Sequence, residues 1–556
     1  MHLRAASRAL GLVVAGSLLF ACHAAPAETP APAAAPPPPP RLIVAISVDQ
    51  YAADLFAQYR EHYTGGIARL LSGAVFPSAF QSHAATETCP GHSTLLTGVH
   101  PSRTGIIANN WFDPAIARGD KRIYCSEDER DPASTSREPV VSAVHLKVPT
   151  LGEYMKQADP RSRSVAVSAK DRAVMMMGGH SIDAAYWALK GQFVTLKGRT
   201  PSPAAMSANA AMAAIAARGA PAYAPPAWCA AHDRPVPAGK AGTPGSGRFA
   251  LAPNDPDAFR VSPRMDAVTE DLAVRMVDEN HLGRGPAPDI LSVSFSATDY
   301  IGHAYGNQGM EMCIQMAELD RTIGKLFAAL DARGIDYLAV LSADHGGSDL
   351  PERLDQQANP FAGRVDSALE PSPLGKAISA DLGLAVDGPL LLGDGAAGDV
   401  YLSAKIPADQ RPRVIEALVA RLRAHPQVAA VFTRADLAAL PVPTENPQDW
   451  TLAERARASF DPERTGDVLF LLKRAILAGA APGPGYVAGH GSPWDYDRRV
   501  PLLFWRKGMS QFEQPAPVET VDIAPTLAAI LGLKLPAGTF DGRCLDLDGG
   551  AGSTCR

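Results

Sequence analysis

The amino-acid sequence predicts an α/β fold, a three-layer α/β/α sandwich around a mostly parallel sheet with inserted subdomain segments. Continuous apolar runs of roughly four to eight residues are typical of strands buried on both faces of a parallel sheet. Four such runs occur at residues 42–48, 164–169, 290–296 and 337–343. Helical patterns separate them, and alternating strand and helix signals favour a layered α/β body.

Each of the four predicted strands leads to charged or metal-ligating side chains. In strand order, these are Asp49, Lys170, Asp299 and the pair Asp344-His345. Ligands of open α/β sheets bind outside the carboxyl ends of the strands. We therefore expect these side chains to meet in one functional site.

Residues 310–333, between the third and fourth strands, are predicted to form a long helix. Their apolar side chains recur on one helical face, at positions 314, 319, 323, 326 and 330. Gly334 follows where a helix is expected to end.

One catalytic domain is predicted over residues 41–556, with two insertions. The first lies near 175–260, where Ala, Pro and Gly dominate. The second lies near 350–445, and its pattern predicts a small α/β subdomain. The predicted elements of this subdomain are a strand at 399–403, a helix near 410–424 and a strand at 428–433.

The N-terminus is predicted to be a signal peptide over residues 1–22, because two arginines precede an apolar segment too short to span a bilayer. Residues 19–22, Leu-Phe-Ala-Cys, resemble a lipoprotein signal box, with lipidation at Cys22. Cleavage near Ala25 or Ala27 is the alternative. Residues 23–40 are almost entirely Ala and Pro, which predicts an extended linker.

These features predict an exported protein that is periplasmic, anchored to the outer membrane through Cys22, or extracellular. An oxidising compartment would allow the six other cysteines to form three disulfides. They are Cys89, Cys125, Cys229, Cys313, Cys544 and Cys555. A bond between Cys544 and Cys555 would close the shortest loop and is the pairing we predict first.

Composition excludes several classes of protein. Hydrophobic residues make up 46% of the 556 residues, which excludes a wholly disordered chain. Only the N-terminal apolar run approaches membrane length, which excludes a multi-span membrane protein. Lys and Arg total 52 against 58 Asp and Glu, so the chain lacks the basic excess of a dedicated nucleic-acid binder.

Three carboxylates and three imidazoles form a candidate metal-ligand set. Its members are Asp49, Asp299, His303, Asp344, His345 and His490. Asp299 and His303 are four residues apart, so both can face one ion from a single helical turn. Mixed Asp and His ligation suits zinc, and six ligands divide into two three-ligand sites, each with an open position. We therefore predict two Zn²⁺ ions per chain.

Three longer segments resemble motifs of a known family. Residues 88–113, beginning Thr-Cys-Pro-Gly-His, residues 488–497, beginning Ala-Gly-His-Gly, and residues 521–527 resemble the alkaline phosphatase superfamily. The resemblance is to the branch of nucleotide pyrophosphatases/phosphodiesterases and PafA-type alkaline phosphatases. It extends from Asp49 to Leu533, over nearly the whole predicted mature chain.

The resemblance implies a role for each matching residue. Thr88 corresponds to the nucleophile and Asn109 to a hydrogen-bond donor to a phosphoryl oxygen. One zinc would be held by Asp299, His303 and His490. The other, which also contacts Thr88, would be held by Asp49, Asp344 and His345. Cys89 stands where many diesterase relatives have an aromatic residue.

A threonine hydroxyl is a weak nucleophile that metal coordination activates. Two ions about 3.5–4 Å apart can hold the attacking and leaving oxygens of an in-line displacement. The resemblance therefore implies a phospho-threonine intermediate at Thr88 that water later hydrolyses.

Lys170 and Arg172 favour a phosphate monoester as substrate, because a monoester dianion has one more charged oxygen than a diester. The pattern Ser-x-Lys-x-Arg is similar to that of PafA-type monoesterases, although a solvated surface turn would also fit it. We predict an alkaline phosphatase that acts on small-molecule phosphate esters, with side activity on diesters. The alternatives are a nucleotide pyrophosphatase/phosphodiesterase and a catalytically silent phosphate-ester-binding protein.

Overall fold

The computed structural model describes residues 38–357, 359–479, 482–483, 485–550 and 552–555. The predicted signal peptide at 1–22, with Cys22, and most of the predicted linker lie outside these residues. Within them, no helix is both long enough and apolar enough to cross a bilayer.

The described residues form eighteen strands and eighteen α-helices, numbered here in chain order. Strands β1 to β18 are Leu42–Val48, Ala74–Phe80, Asn110–Phe112, Arg122–Tyr124, Ser164–Ser168, Ala184–Leu189, Gln192–Val194, Asp289–Phe295, Tyr337–Ser342, Gly363–Arg364, Leu391–Leu392, Gly398–Leu402, Val428–Thr433, Val468–Leu472, Ile476–Leu477, Arg499–Arg506, Phe512–Glu513 and Val518–Glu519. Helices α1 to α18 are Ala53–Tyr59, Gly66–Leu70, Thr88–Thr97, Pro101–Thr104, Leu151–Ala158, Asp171–Gly178, Pro203–Arg218, Pro256–Arg260, Pro263–Glu279, Ala297–Tyr305, Met310–Ala332, Pro351–Gln356, Pro371–Leu382, Arg411–Ala424, Arg434–Ala439, Leu452–Ala458, Asp495–Arg498 and Ile523–Ile530. Five short 3₁₀ helices are Arg60–His62, Ala227–His232, Gly239–Ala241, Ser367–Leu369 and Thr520–Asp522.

A ten-stranded sheet forms the centre of the fold, in the order β17-β2-β16-β9-β1-β8-β5-β6-β7, with β18 also paired to β2. Strands β9, β1, β8, β5 and β6 run parallel. Strand β16 lies antiparallel between β2 and β9. The α/β architecture around a mostly parallel sheet is the predicted one.

The parallel strands form where the continuous apolar runs predict them. Every residue of β1, β5, β8 and β9 is buried. Val48 pairs with Phe295 at the carboxyl ends of β1 and β8, and Ser47 pairs with Ser342 of β9. This register brings the residues that follow the strands to one edge of the sheet.

The long predicted helix is α11, which buries its apolar residues in the main core. It ends where predicted, because Gly334 has a φ of 64° and leaves the helix in the left-handed region.

Two predicted insertions have different boundaries in the structure. Strands β6 and β7, at 184–194, continue the main sheet, so the stretch near 175–260 is not wholly an insertion. The Ala-rich composition hid β6, whose central residues Ala185, Tyr186 and Trp187 are buried.

The subdomain near 350–445 contains a four-stranded sheet in the order β11-β12-β14-β13, with a hydrophobic core of its own. Its strand β14 comes from residues 468–472, beyond the predicted limit. Strand β14 pairs with β12 and β13, so the subdomain is completed by a later part of the chain.

Three disulfides join the six cysteines. Cys544–Cys555 confirms the predicted short loop. Cys229–Cys313 joins a 3₁₀ helix to α11, and Cys89–Cys125 joins α3 to the residue after β4.

Candidate active site and metal clusters

One candidate metal cluster lies at the carboxyl ends of β1 and β9. It contains Asp49, Asp344 and His345, all three fully buried. Nε2 of His345 lies 3.3 Å from Oδ2 of Asp344 and 3.6 Å from Oδ1 of Asp49. The three side chains therefore offer one ligand atom each to a common point.

The second candidate cluster contains Asp299, His303 and His490. Asp299 and His303 lie one turn apart on α10, which follows β8, and their Oδ1 and Nε2 atoms are 3.2 Å apart. Nε2 of His490 lies 3.4 Å from the same carboxylate oxygen. The rings of His490 and His345 stack with their centroids 3.7 Å apart, so the two clusters adjoin.

The three histidines are oriented by backbone carbonyls. Nδ1 of His303 bonds the carbonyl of Ala488, Nδ1 of His490 bonds that of Thr86, and Nδ1 of His345 bonds that of Gly346, at 2.8–2.9 Å. A carbonyl only accepts, so each Nδ1 carries the proton and each Nε2 presents its lone pair to the cluster. Burial lowers the pKa of His345 to about 3, which keeps its ring neutral.

The first cluster has the chemistry of a cation site. Oδ1 of Asp49 and Nε2 of His345 are buried and have no hydrogen-bond partner among the described residues. Burial and the charge of Asp344 raise the pKa of Asp49. Buried acceptors that repel one another are stabilised by a metal ion, so these residues fit one.

Thr88 is the first residue of α3 and is 1% exposed. Helix α3 packs directly against the strand end that carries Asp344, because a Cβ at Gly91 would collide with the carbonyl oxygen of Asp344. The N-terminus of a helix attracts anions through its unpaired N–H groups and its dipole. Thr88 therefore lies at a position suited to a phosphoryl group.

Two cations converge on the Thr88 hydroxyl. Nζ of Lys170 and Nη2 of Arg172 each lie 3.4 Å from Thr88 Oγ1. Nζ of Lys170 also lies 2.5 Å from Asp49 and 2.6 Å from Asp299, so it bridges the two clusters. Burial disfavours the charge on Lys170, but these two carboxylates outweigh it and raise the pKa of the amine.

The side chain of Asn109 is held beside Thr88. Its Oδ1 accepts a hydrogen bond from the backbone N–H of Cys89 at 2.8 Å. The backbone N–H of Asn109 donates to Oε2 of Glu87 at 2.6 Å. Since Oδ1 is engaged, the NH₂ group of Asn109 is the group that can donate to a phosphoryl oxygen.

The structure brings all ten predicted site residues to this edge of the sheet, and it adds residues that the sequence analysis missed. The backbone N–H of Gln50 donates to Asp344, and its side-chain amide donates to Asp299. Nε2 of His92 bonds Ser294 Oγ, and its Nδ1 lies 3.1 Å from Asp344. Gln50 directly follows Asp49, and that adjacency is the signal that could have found it.

The disulfide between Cys89 and Cys125 was not connected with the site in the sequence analysis. Cys89 directly follows Thr88, and the backbone N–H of Cys125 donates to the carbonyl of Asn109 at 3.0 Å. The disulfide therefore ties the start of α3 to the segment that carries Asn109.

Comparison with known proteins supports the same interpretation. The profile of the family described as "Type I phosphodiesterase / nucleotide pyrophosphatase" matches residues 43–492. Alkaline phosphatase PhoK of Sphingomonas sp. is 52% identical over 93% of this chain and 92% of its own length. Alkaline phosphatase PhoD of Zymomonas mobilis is 48% identical over 93% of this chain and 89% of its own length.

A solved structure has the same fold. The crystal structure of wild-type alkaline phosphatase PafA superposes with a TM-score of 0.78 at 25% identity, over 91% of this chain and 98% of the PafA chain. The family is one of hydrolases, and relatives of this similarity are alkaline phosphatases, so the chain is a phosphatase. The chain therefore belongs to the type I phosphodiesterase / nucleotide pyrophosphatase family, and within it to the PafA-type alkaline phosphatases.

Proposed function

We propose that the chain is an exported, zinc-dependent alkaline phosphatase that hydrolyses phosphate monoesters through a phospho-threonine intermediate, with side activity on diesters. The convergence of Lys170 and Arg172 on Thr88 carries this proposal. Both cations lie beside the atom that would attack phosphorus, where they can bind the additional charged oxygen of a monoester.

Two Zn²⁺ ions per chain fit the two clusters. Asp49, Asp344 and His345 would hold the ion beside Thr88, and the cluster of Asp299, His303 and His490 would hold the ion beside the leaving group. When bound, the ions would favour the deprotonated Thr88 hydroxyl and stabilise negative charge on the departing oxygen.

The chain's own residues would supply the nucleophile and bind the phosphoryl oxygens. Thr88 Oγ1 would form a bond to phosphorus as the bond to the alcohol oxygen breaks, and water would then release phosphate from Thr88. Asn109 would donate to one phosphoryl oxygen from its NH₂ group. Lys170 and Arg172 would bind the others, and the helix dipole of α3 would favour the anion.

The protein is proposed to be periplasmic, outer-membrane-anchored or extracellular. Support comes from the sequence of residues 1–40 and from the three disulfides, since disulfides persist mainly in oxidising compartments. Its proposed partners are small-molecule phosphate esters, without dedicated nucleic-acid binding.

The test compares kcat/KM for p-nitrophenyl phosphate and bis(p-nitrophenyl) phosphate, which share one leaving group. We expect the zinc-loaded enzyme to prefer the monoester by about tenfold or more, a difference of ~1.4 kcal/mol in transition-state stabilisation. Preference for the diester would favour the nucleotide pyrophosphatase/phosphodiesterase alternative. Binding of phosphate without turnover of either ester would favour the silent binding protein.

A further inference from the structure

A cavity of about 320 Å³ adjoins the second metal cluster. His490 and Tyr486 both line it, and the ring of Tyr486 is stacked on that of His303. Apolar side chains form most of the remaining wall, including the aromatic pair Phe112 and Tyr401, whose ring centroids are 5.7 Å apart. The cavity therefore begins at the cluster of Asp299, His303 and His490, which is the cluster proposed above to lie beside the leaving group.

The charged groups that line this cavity are all acidic. Among its described lining residues, four are Asp or Glu and none is Lys or Arg. Asp394 is paired with Arg122 at 2.7 Å. Glu87, Asp399 and Asp497 line the cavity without an ion-pair partner in the described part of the chain.

Each of these three carboxylates accepts a backbone hydrogen bond, from Ser492 in the case of Asp497, and Glu87 and Asp399 are only partly buried. Glu87 accepts from the backbone N–H of Asn109, and Asp399 accepts from that of Gly466. Asp497 is 1% exposed, and its Oδ1 has no hydrogen-bond partner among the described residues. Burial raises the pKa of Asp399 to about 7, so this carboxylate is ionised in alkaline solution.

We infer that this cavity is a leaving-group subsite that selects phosphate monoesters of cationic alcohols with an apolar body, such as a quaternary ammonium alcohol. Unpaired carboxylates attract the cation, and aromatic faces such as those of Phe112 and Tyr401 bind quaternary ammonium groups. An anionic leaving group would be repelled by these unpaired carboxylates. The inference rests on the proposed function, because it assigns the leaving group to the side of His490.

The test uses three monoesters of similar size: choline phosphate, its uncharged isostere 3,3-dimethylbutyl phosphate, and the phosphate ester of 3-hydroxypropanoate. We expect kcat/KM to be highest for choline phosphate, about tenfold lower for the uncharged isostere and about tenfold lower again for the anionic ester, because the leaving group's charge changes from positive to negative along this series. p-Nitrophenyl phosphate serves as the reference, and failure to hydrolyse it would contradict the proposed function. Hydrolysis of the reference with equal or reversed values for the three esters would overturn only the subsite.

The three alcohols differ in their intrinsic reactivity as leaving groups. This difference cancels when the same esters are measured in two variants of the enzyme. Asp399→Asn keeps an acceptor for Gly466 but removes the charge, and we expect the choline-to-isostere ratio of kcat/KM to fall about tenfold. Asp387→Asn is the matched control, since Asp387 is a 95% exposed acid of the same subdomain. An unchanged ratio in Asp399→Asn would overturn the inference.

Binding gives a second readout that does not depend on turnover. Isothermal titration of the Thr88→Ala variant with choline phosphate and with its isostere measures ground-state affinity. We expect Thr88→Ala to bind choline phosphate more tightly than its isostere, and the double variant Thr88→Ala/Asp399→Asn to lose this difference. Equal affinities of Thr88→Ala for the two esters would contradict the subsite.

Discussion

At the residue scale, Lys170 is the group whose environment is most unusual. Its side chain is 2% exposed, yet it is paired with two carboxylates from different strand ends. The two acids keep it charged, and the same charge lies beside Thr88 Oγ1. One side chain thus compensates the acidic clusters and contributes to the proposed phosphate site.

Thr88→Ala should abolish most phosphatase turnover while leaving the metal content nearly unchanged, because in the proposed mechanism Thr88 supplies the nucleophile and the six other proposed ligands remain. Elemental analysis and kcat/KM for p-nitrophenyl phosphate measure the two effects. Thr444→Ala, at an exposed threonine, is the control. Turnover close to that of the wild type in Thr88→Ala would refute the nucleophile assignment.

Lys170→Ala and Arg172→Ala should lower kcat/KM for the monoester by ~30-fold to 5 × 10³-fold, because removing one partner of a desolvated charge-assisted contact costs about 2–5 kcal/mol. The diester should lose much less, since its esterified oxygen has no comparable charge. Both substrates are measured in each variant and in the exposed-site control Lys507→Ala. An equal decline for both substrates would remove the main support for a monoesterase.

The convergence of the ten predicted site residues could be foreseen because each lies in a recognisable segment or close after a buried strand. The supporting residues could not. Glu87 contacts the backbone N–H of Asn109, and His92 contacts Ser294 and Asp344, which lie far away in sequence and meet it only in the folded chain. No sequence spacing encodes these contacts, so they required the structure.

At the element scale, helix α10 carries two of the proposed ligands and is anchored at its start by Asp266. The carboxylate of Asp266 accepts from the backbone N–H of Ala297 at 2.9 Å and from Gln315 at 2.7 Å. Burial raises the pKa of Asp266 to about 7. The position of Asp299 and His303 therefore depends on a buried acid on α9.

This raised pKa predicts a pH dependence of stability. Between about pH 4 and pH 7 the folded chain keeps the Asp266 proton that the unfolded chain has lost, so the free energy of unfolding falls as pH rises through that window. The effect is as much as ~4 kcal/mol for three pH units. Urea unfolding of Asp266→Asn should show a flatter pH profile, whereas Asp257→Asn, at an exposed acid, should not. A profile identical to that of the wild type would contradict this account.

Helix α3 depends on a covalent link. Removing Cys89–Cys125 in a Cys89→Ala/Cys125→Ala variant should cost about 2–5 kcal/mol of stability. It should also lower kcat/KM about tenfold or more, because Thr88 and Asn109 lose a shared constraint.

Cys544→Ala/Cys555→Ala is the matched control, since its loop lies at the far C-terminal end of the chain and outside the site. We expect that variant to lose stability with kcat/KM unchanged. Equal kinetic effects in the two double variants would show that Cys89–Cys125 has no special role in positioning Thr88.

Strands could be predicted from the sequence where a local hydrophobic pattern is enough to define them. Strand β1 and strand β13 have their predicted limits, and β5, β8 and β9 each differ by one residue. Strands β6 and β14 were missed. Strand β6 pairs with its neighbours β5 and β7 and was missed because its Ala-rich composition hides a strand pattern. Strand β14 pairs with β12 and β13, which come much earlier in the chain, and neither composition nor periodicity specifies such pairings.

At the scale of the whole molecule, the two clusters gather buried acids from several parts of the chain. Metal ions should therefore contribute to the stability of the entire fold. Chelation should abolish activity and lower Tm by about 5 °C or more, and added Zn²⁺ should restore both. Elemental analysis should find about two zinc ions per chain. Full activity in metal-stripped protein would exclude a metal requirement.

The late position of strand β16 in the chain determines when the central sheet can be completed during synthesis. It ends at Arg506 of a 556-residue chain, yet it occupies a place inside the sheet, between β2 and β9. Ribosomes deliver the chain from its N-terminus, so β2 cannot join the parallel strands through β16 until residues 499–506 have been made. His490 emerges just before β16, and the second cluster is incomplete until then. The growing chain thus remains without a finished active site until both His490 and β16 have been synthesised.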